Sequence, residues 1–274
     1  MAYKLLFQKH ETDSRVPTRL GFAIDGDSQM AKDNRFCVAD GVTRDFKDGS
    51  EFKLPHSLSE LHKTLIYYPN ILKLKKVSDL CTKLFVTSDN KDLYSLVNEI
   101  NNEIALVNDF PCDYLGNDYY GCTAAGGIIE DGYLQMFNVG DSNILLLDSN
   151  LDILFRTVDD YTNGTIDRNK YIYSSDMAGK SWSDNSCRAA FRKAFRNTEN
   201  PGAFTVLTGE NVCPSMTHYY SQPLDEAVFI LALTDGYLPI VNDKKKLEAL
   251  LSGKLDDTIG HERTIIGYEK VKSL

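Results

Sequence analysis

The chain lacks several features that assign other sequences to a class at once. Nowhere in its 274 residues does an apolar window approach the roughly eighteen residues of a membrane-spanning helix. The N-terminal stretch Met-Ala-Tyr-Lys-Leu-Leu-Phe-Gln-Lys-His has neither a long apolar segment nor a small-residue cleavage site, so no secretory leader is expected. Cys-x-x-Cys pairs are also missing. The six cysteines stand singly at 37, 81, 112, 122, 187 and 213, which argues against the common zinc and dithiol arrangements and suits a reducing, cytoplasmic setting. Positive charge is scarce, with 30 Lys and Arg against 39 Asp and Glu and a net charge of −9. A pI near 5.1 argues against a general affinity for nucleic acid or an anionic membrane, both of which demand a basic face. The longest basic run, Lys244-Lys245-Lys246, opens a predicted helix and reads as a solvated surface. Internal repeats and low-complexity linkers are absent too, so one folded unit over 1–274 is expected.

What is present is a chain 42% hydrophobic, enough for a substantial core. Residues 71 to 85 carry Ile71, Leu74, Val77, Leu80, Cys81, Leu84 and Phe85 at helical spacing. Asp89 or Asn90 is placed to cap a second helix bearing Leu93, Leu96, Val97, Ile100, Ile104 and Val107. From Cys122 the pattern turns to short strands, over 122–129, 133–140, 143–148 and 151–157, separated by turns such as Glu130-Asp131-Gly132 in the manner of an antiparallel meander. Residues 158 to 224 are polar and irregular, with a short helix predicted near Cys187 to Phe195. Another strand follows at 227–234, then a helix at 244–251 and a last strand at 264–271. Helices and strands in separate blocks predict an antiparallel α+β protein.

Two apolar runs end alike. Phe36-Cys37-Val38-Ala39 leads into Asp40-Gly41, and Phe229 to Leu233 leads through Thr234 into Asp235-Gly236. Asp-Gly alone is a turn signal and needs no chemistry. Twice, at the ends of apolar strands, it is able to bring two carboxylates to one sheet edge, where their repulsion favours a hard divalent cation.

These runs belong to a longer series: Lys32-Asp33-Asn34-Arg35, Val38-Ala39-Asp40-Gly41, Gly121-Cys122-Thr123-Ala124, Asn138-Val139-Gly140-Asp141-Ser142, Leu233-Thr234-Asp235-Gly236 and His261-Glu262-Arg263-Thr264. In this order they resemble the metal-dependent protein phosphatases of type 2C, over almost the whole chain. Val206-Leu207-Thr208-Gly209-Glu210 resembles a stretch of bacterial members. The resemblance implies a four-layer α/β/β/α sandwich, two antiparallel sheets packed face to face with antiparallel helices on both outer faces. It implies two divalent ions, Mn²⁺ or Mg²⁺, with Asp40 between them. Asp33 and the Gly41 carbonyl would help hold one ion, and Asp235 and Glu262 the other, while Asp141 would act one step removed. Hydrolysis of phosphoserine or phosphothreonine esters in proteins would then proceed through a water that the two ions share. Asp40, Asp235 and Asp141 are the implied catalytic residues. A monomer acting on a phosphorylated protein is the expected form, and residues 158–224 correspond to the family's variable flap.

The pattern is also broken in places. Asn34 stands where the family has a second carboxylate, and Gln29 where some members carry a phosphate-binding arginine. Arg44 is the candidate to take over that grip, because a guanidinium binds phosphate with two hydrogen bonds. Val42 replaces a histidine proposed to protonate the leaving group, His261 reads as a structural or exposed histidine, and Pro239 occupies the position of an acid linked to a third ion. Arg188, Arg192, Lys193 and Arg196 read as the solvated face of a helix. These departures keep two other readings open, a phosphatase-like binding module without turnover and a hydrolase of small phosphoesters.

Overall fold

A computed structural model describes residues 2–11, 26–42, 45, 59, 62, 72–175, 178–181, 183–256 and 262–271. Among them ten strands run β1 Tyr3–Glu11, β2 Ser28–Lys32, β3 Arg35–Gly41, β4 Cys122–Glu130, β5 Tyr133–Val139, β6 Asn143–Leu147, β7 Ile153–Arg156, β8 His218–Pro223, β9 Phe229–Leu233 and β10 Arg263–Lys270. They form two five-stranded sheets, ordered β1-β10-β9-β6-β7 and β2-β3-β4-β5-β8, with every pairing antiparallel.

The side chains of β3 show how the layers are built. Phe36 and Val38 point into the space between the sheets, against Ile144, Leu146, Ile230, Ala232 and Ile266. Cys37 and Ala39 point the other way, onto Val77, Cys81, Phe85 and Leu96, which belong to α1 Leu72–Thr87 and α2 Leu93–Val107. Both faces of β3 are therefore covered, and its sequence is a continuous apolar run rather than an alternation. On the far side, Leu145, Leu147, Leu231, Leu233 and Ile265 pack on residues of the 3-10 turn Asp235–Tyr237 and the two helices that follow it. The order helix, sheet, sheet, helix is the four-layer α+β sandwich expected.

Boundaries differ in informative ways. The cap of α2 is Asp92, whose carboxylate accepts from the Ser95 amide at 3.2 Å; Asn90 accepts from the Asp92 amide at 3.0 Å and shapes the preceding turn instead. The segment after β7 holds α3 Asp160–Asn163, α4 Thr165–Ser174, α5 Asn185–Phe195 and α6 Cys213–Met216 before returning as β8. That last strand, His-Tyr-Tyr-Ser-Gln-Pro, lies at a sheet edge and is only half-buried, so it lacks the apolar signature of its neighbours. Two helices, α7 Leu238–Val241 and α8 Lys244–Leu251, complete the described elements. Lys244 to Lys246 form the first turn of α8, with the Asp243 carboxylate accepting from the Lys245 and Lys246 amides. No helix among the described residues is long and apolar enough to cross a membrane.

Candidate active site

One edge of the sandwich gathers the ends of strands from both sheets. β3 leaves it at Asp40-Gly41, paired with Thr123 and Cys122 at the start of β4. The β5–β6 turn sits there with Asp141, β9 ends there at Thr234-Asp235, and β10 begins there after Glu262. The chain entering β2 arrives at the same place. Ser28 is opposite Ala39, so Asp27 lies one step further, opposite Asp40, with its side chain on the same face.

Close backbone contact holds these ends together. The Gly41 amide donates to the Gly26 carbonyl at 3.1 Å, and a Cβ on Gly26 would lie 2.6 Å from the Gly41 oxygen. Glycine at 26 thus lets the two strand ends meet. Likewise a Cβ on Gly236 would press on the Glu262 carbonyl and lie 2.7 Å from Arg263 Cβ, so this glycine lets Asp235 sit beside the start of β10. Across the sheets, Thr234 Oγ1 donates to Asp27 Oδ2 at 2.8 Å and accepts from the Thr264 amide at 2.9 Å. His10 Nδ1 meets Thr264 Oγ1 at 2.8 Å, and the Glu262 carboxylate accepts from the Asp27 amide.

Charge is concentrated at this edge. The Asp40 carboxyl is pushed well above the usual carboxylate range, first by burial and then by the negative charges of Asp27, Asp141, Asp235 and Glu262. Burial also raises Asp27, against the lowering effect of hydrogen bonds with Thr234, Thr264 and Asp40. Asp141 is pushed up to about 6 by burial and by Asp235, with a Thr123 hydrogen bond acting in the opposite direction. Among the described residues, no three His, Cys, Asp or Glu side chains are drawn into one coordination sphere. Asp27 and Asp40 share a hydrogen bond, the arrangement two close carboxyls adopt when one keeps its proton. The donor set is nevertheless oxygen throughout, supplied by acids that destabilise one another's ionised forms. It fits a hard divalent cation rather than a soft one.

The residues singled out from the sequence divide clearly. Asp40, Gly41, Asp141, Asp235 and Glu262 come to this edge. Asp33 does not: it is exposed in the two-residue turn joining β2 to β3, with φ +54°. The length of β3 separates it from Asp40, about 20 Å at ~3.3 Å per residue. The correction has a local cause, since Lys32 pairs with Arg35 and leaves Asp33-Asn34 as the hairpin loop, where short polar side chains tolerate positive φ. Asn34 is engaged in that role too, its amide donating to the Ile129 carbonyl at 2.8 Å. Asp27 is the acid that the sequence reading missed. Gln29 lies within β2, and Arg44 and His261 fall outside the described residues.

Of the four basic residues near 190, Lys193 is exposed as expected, but the three arginines need correction. Arg188 and Arg196 are buried, and Arg192 is largely so, in ion pairs with Asp45 and Asp118. Their burial leaves no solvated arginine face on α5. A second polar pair sits beside the Asp141 turn: His218 Nε2 meets Asp160 Oδ1 at 2.8 Å, and the Asp160 amide donates to the Gly140 carbonyl at 3.3 Å.

Two facing antiparallel sheets with helices outside and acids from both sheets at one edge form the fold of the metal-dependent serine/threonine protein phosphatases of type 2C. Solved structures share it over nearly the full length of both chains. The catalytic domain of the serine/threonine protein phosphatase PstP, solved with two manganese ions, matches with a TM-score of 0.55 and 17% identity over 98% of this chain and 99% of that one. Stp1 from Staphylococcus aureus matches at 0.56 and 14%, covering 99% and 96%. The PPM Ser-Thr phosphatase MsPP from Mycobacterium smegmatis, solved with cacodylate, matches at 0.54 and 14%, covering 99% of each chain. At these identities the likeness is one of fold. No family profile matches the chain, and no curated protein sequence does.

Proposed function

We propose that the chain is a divalent-metal-dependent phosphatase acting on phosphoserine and phosphothreonine in proteins, as one catalytic domain. The observation that carries this reading is the crowding of Asp27, Asp141, Asp235 and Glu262 around Asp40, which opposes ionisation unless positive charge is supplied. Asp40, with Asp27, the Gly41 carbonyl, Asp235 and Glu262 beside it, would hold two ions. Bound Mn²⁺ or Mg²⁺ would supply an activated water and neutralise charge on the phosphoryl oxygens. Asp141, one step removed from these acids, would orient water close to the reacting phosphate. Thr234 fixes the Asp27 carboxylate by its 2.8 Å hydrogen bond, and Thr264 fixes Thr234 in turn. Arg44 remains the candidate for gripping the substrate phosphate.

The test is turnover of a phosphothreonine peptide and of an aryl phosphate by the purified chain, with Mn²⁺, with chelator, and with Asp40→Asn. Metal-dependent turnover of the peptide that falls by about 10³-fold or more in Asp40→Asn is expected. Turnover indifferent to metal, or undiminished in Asp40→Asn, would overturn the reading. Val42, which has no proton to give at the position after Gly41, favours a binding module as the second reading. That reading predicts phosphopeptide binding without hydrolysis, and efficient hydrolysis of the aryl phosphate alone would point to a small phosphoester.

A further inference from the structure

Helix α5 carries Arg188 and Arg192, and Arg196 follows its last residue, so three guanidiniums recur every four residues along one face. That face points inward. Arg188 and Arg196 have side chains 1% and 3% exposed, and the two acids they meet, Asp45 and Asp118, are each 2% exposed. Asp45 Oδ2 accepts from Arg188 Nε at 3.0 Å and from Arg192 Nη1 at 2.7 Å. Asp118 receives Arg196 in a two-pronged contact at 2.9 and 2.7 Å, with Arg192 Nε 3.8 Å away. Arg192 Nη1 also donates to the Tyr114 carbonyl at 2.8 Å, and Arg188 Nη2 to Asn185 at 2.8 Å. These charge-assisted contacts tie one helix to two remote points of the chain.

Stability alone is a poor explanation for such a ladder, because apolar side chains of equal volume fill a buried site at no greater cost. What charge and direction add is a fixed register between α5 and its two anchors. The two anchors are placed symmetrically in sequence about the strand pair that enters the candidate active site. Asp45 is four residues beyond Gly41, and Asp118 is four residues before Cys122. Gly41 and Cys122 are themselves paired across β3 and β4. The helix therefore holds Asp45, four residues past the strand that presents Asp40, and Asp118, four residues before the strand that presents Thr123, which bonds Asp141.

We propose that Arg188 and Arg192 are positioning residues. Acting through Asp45, four residues past Gly41, they anchor one flank of this edge and so set its affinity for divalent cations. The inference rests on the phosphatase reading above. Its test is Mn²⁺ binding by calorimetry on the full chain, with metal-free thermal unfolding and turnover at saturating Mn²⁺ measured alongside. The double variant Arg188→Met/Asp45→Leu removes the buried pair together, while Arg192, which loses Asp45, keeps the Tyr114 carbonyl and lies 3.8 Å from Asp118. It should unfold cooperatively, bind Mn²⁺ about tenfold more weakly, and recover turnover to within about threefold of the parent once saturated. Arg188→Lys, which keeps the charge but not the fork, should fall between the two. A folded double variant with unchanged Mn²⁺ affinity overturns the inference and leaves the phosphatase reading standing. A parent chain that binds no Mn²⁺ overturns both. If the double variant does not unfold cooperatively, Arg192→Gln carries the test. Its side chain is 15% exposed, and it should weaken Mn²⁺ by about threefold, half the effect on a free-energy scale; an unchanged affinity is again the refuting result.

Discussion

The Asp141 carboxyl offers a measurement of how much the acidic edge costs the fold. Its ordinary value of 3.8 is raised to about 6 by burial and by Asp235. A carboxyl whose folded value is raised contributes its stability in full below the unfolded value, and that contribution is lost as pH climbs through the folded value. The window therefore runs from about pH 4 to pH 6, and the loss levels off above it. At about 1.4 kcal/mol per pH decade, a rise of 2.2 (6 minus 3.8) amounts to roughly 3 kcal/mol at pH 7. Asp141→Asn removes the titration and keeps an oxygen able to accept from Thr123. In chelator, the variant should match the parent at pH 4 and exceed it by up to about 3 kcal/mol at pH 7, as read from urea melts at intervals between. Taking the difference between the two proteins cancels the opposite trend of Glu11 and Asp118, whose carboxyls are lowered despite their burial. Saturating Mn²⁺ should shrink the gap, because an ion that binds only the folded state stabilises the parent. A variant no more stable than the parent at pH 7, or a difference that is flat from pH 4 to 7, would refute the electrostatic account.

Asp27→Asn should weaken Mn²⁺ binding at least about tenfold, whereas Asp33→Asn, at an exposed turn that asparagine accepts equally well, should leave binding unchanged and stability within about 0.5 kcal/mol; calorimetry that reverses this order removes Asp27 from the site. Gly26→Ala should cost about 1–3 kcal/mol in a denaturant melt, because the added methyl meets the backbone at Gly41 rather than a yielding side chain. A neutral substitution there would mean that the strand ends separate freely. The His218 imidazole is raised above its ordinary value by its hydrogen bond to Asp160, against the effect of burial. The pair's contribution is present below pH 6.5 and lost as pH rises through the folded value. With the imidazole 37% exposed, it stays below about 1 kcal/mol. An NMR titration of the ring in the parent and in Asp160→Asn checks the direction, and an unmoved midpoint would contradict it.

Much of the fold is legible from periodicity. The runs at 122–130, 133–139 and 229–233 lie in covered layers where most of their residues are buried, and α8 has an apolar stripe, a capping Asp243 and a following Gly253. Register is harder to read. Asp33 and Asp27 are both acids just outside an apolar pair of strands, and only the position of the turn decides which one meets Asp40. With the loop at Asp33-Asn34, Asp27 lies six residues before the loop and Asp40 six after it, so the pairing was countable once the hairpin was recognised. β8 was hidden because a sheet edge tolerates polar residues on both faces. The arginines of α5 were misread for the opposite reason: their partners, Asp45 and Asp118, are remote in sequence, and no local pattern distinguishes a buried charge from a solvated one.

The acids at the active edge are divided between the two sheets, Asp27 and Asp40 on one and Asp235 and Glu262 on the other. The edge is thus a caliper, with the sheets as its jaws and the inter-sheet core of Phe36, Val38, Ile230 and Ile266 as its spacer. Any change of volume in that spacer alters the opening of the jaws, because packed interiors transmit strain instead of absorbing it. Methyl groups buried well away from the carboxylates therefore gauge the distance between the acids, and conservative substitutions among them offer a graded way to tune that spacing without altering a single carboxylate.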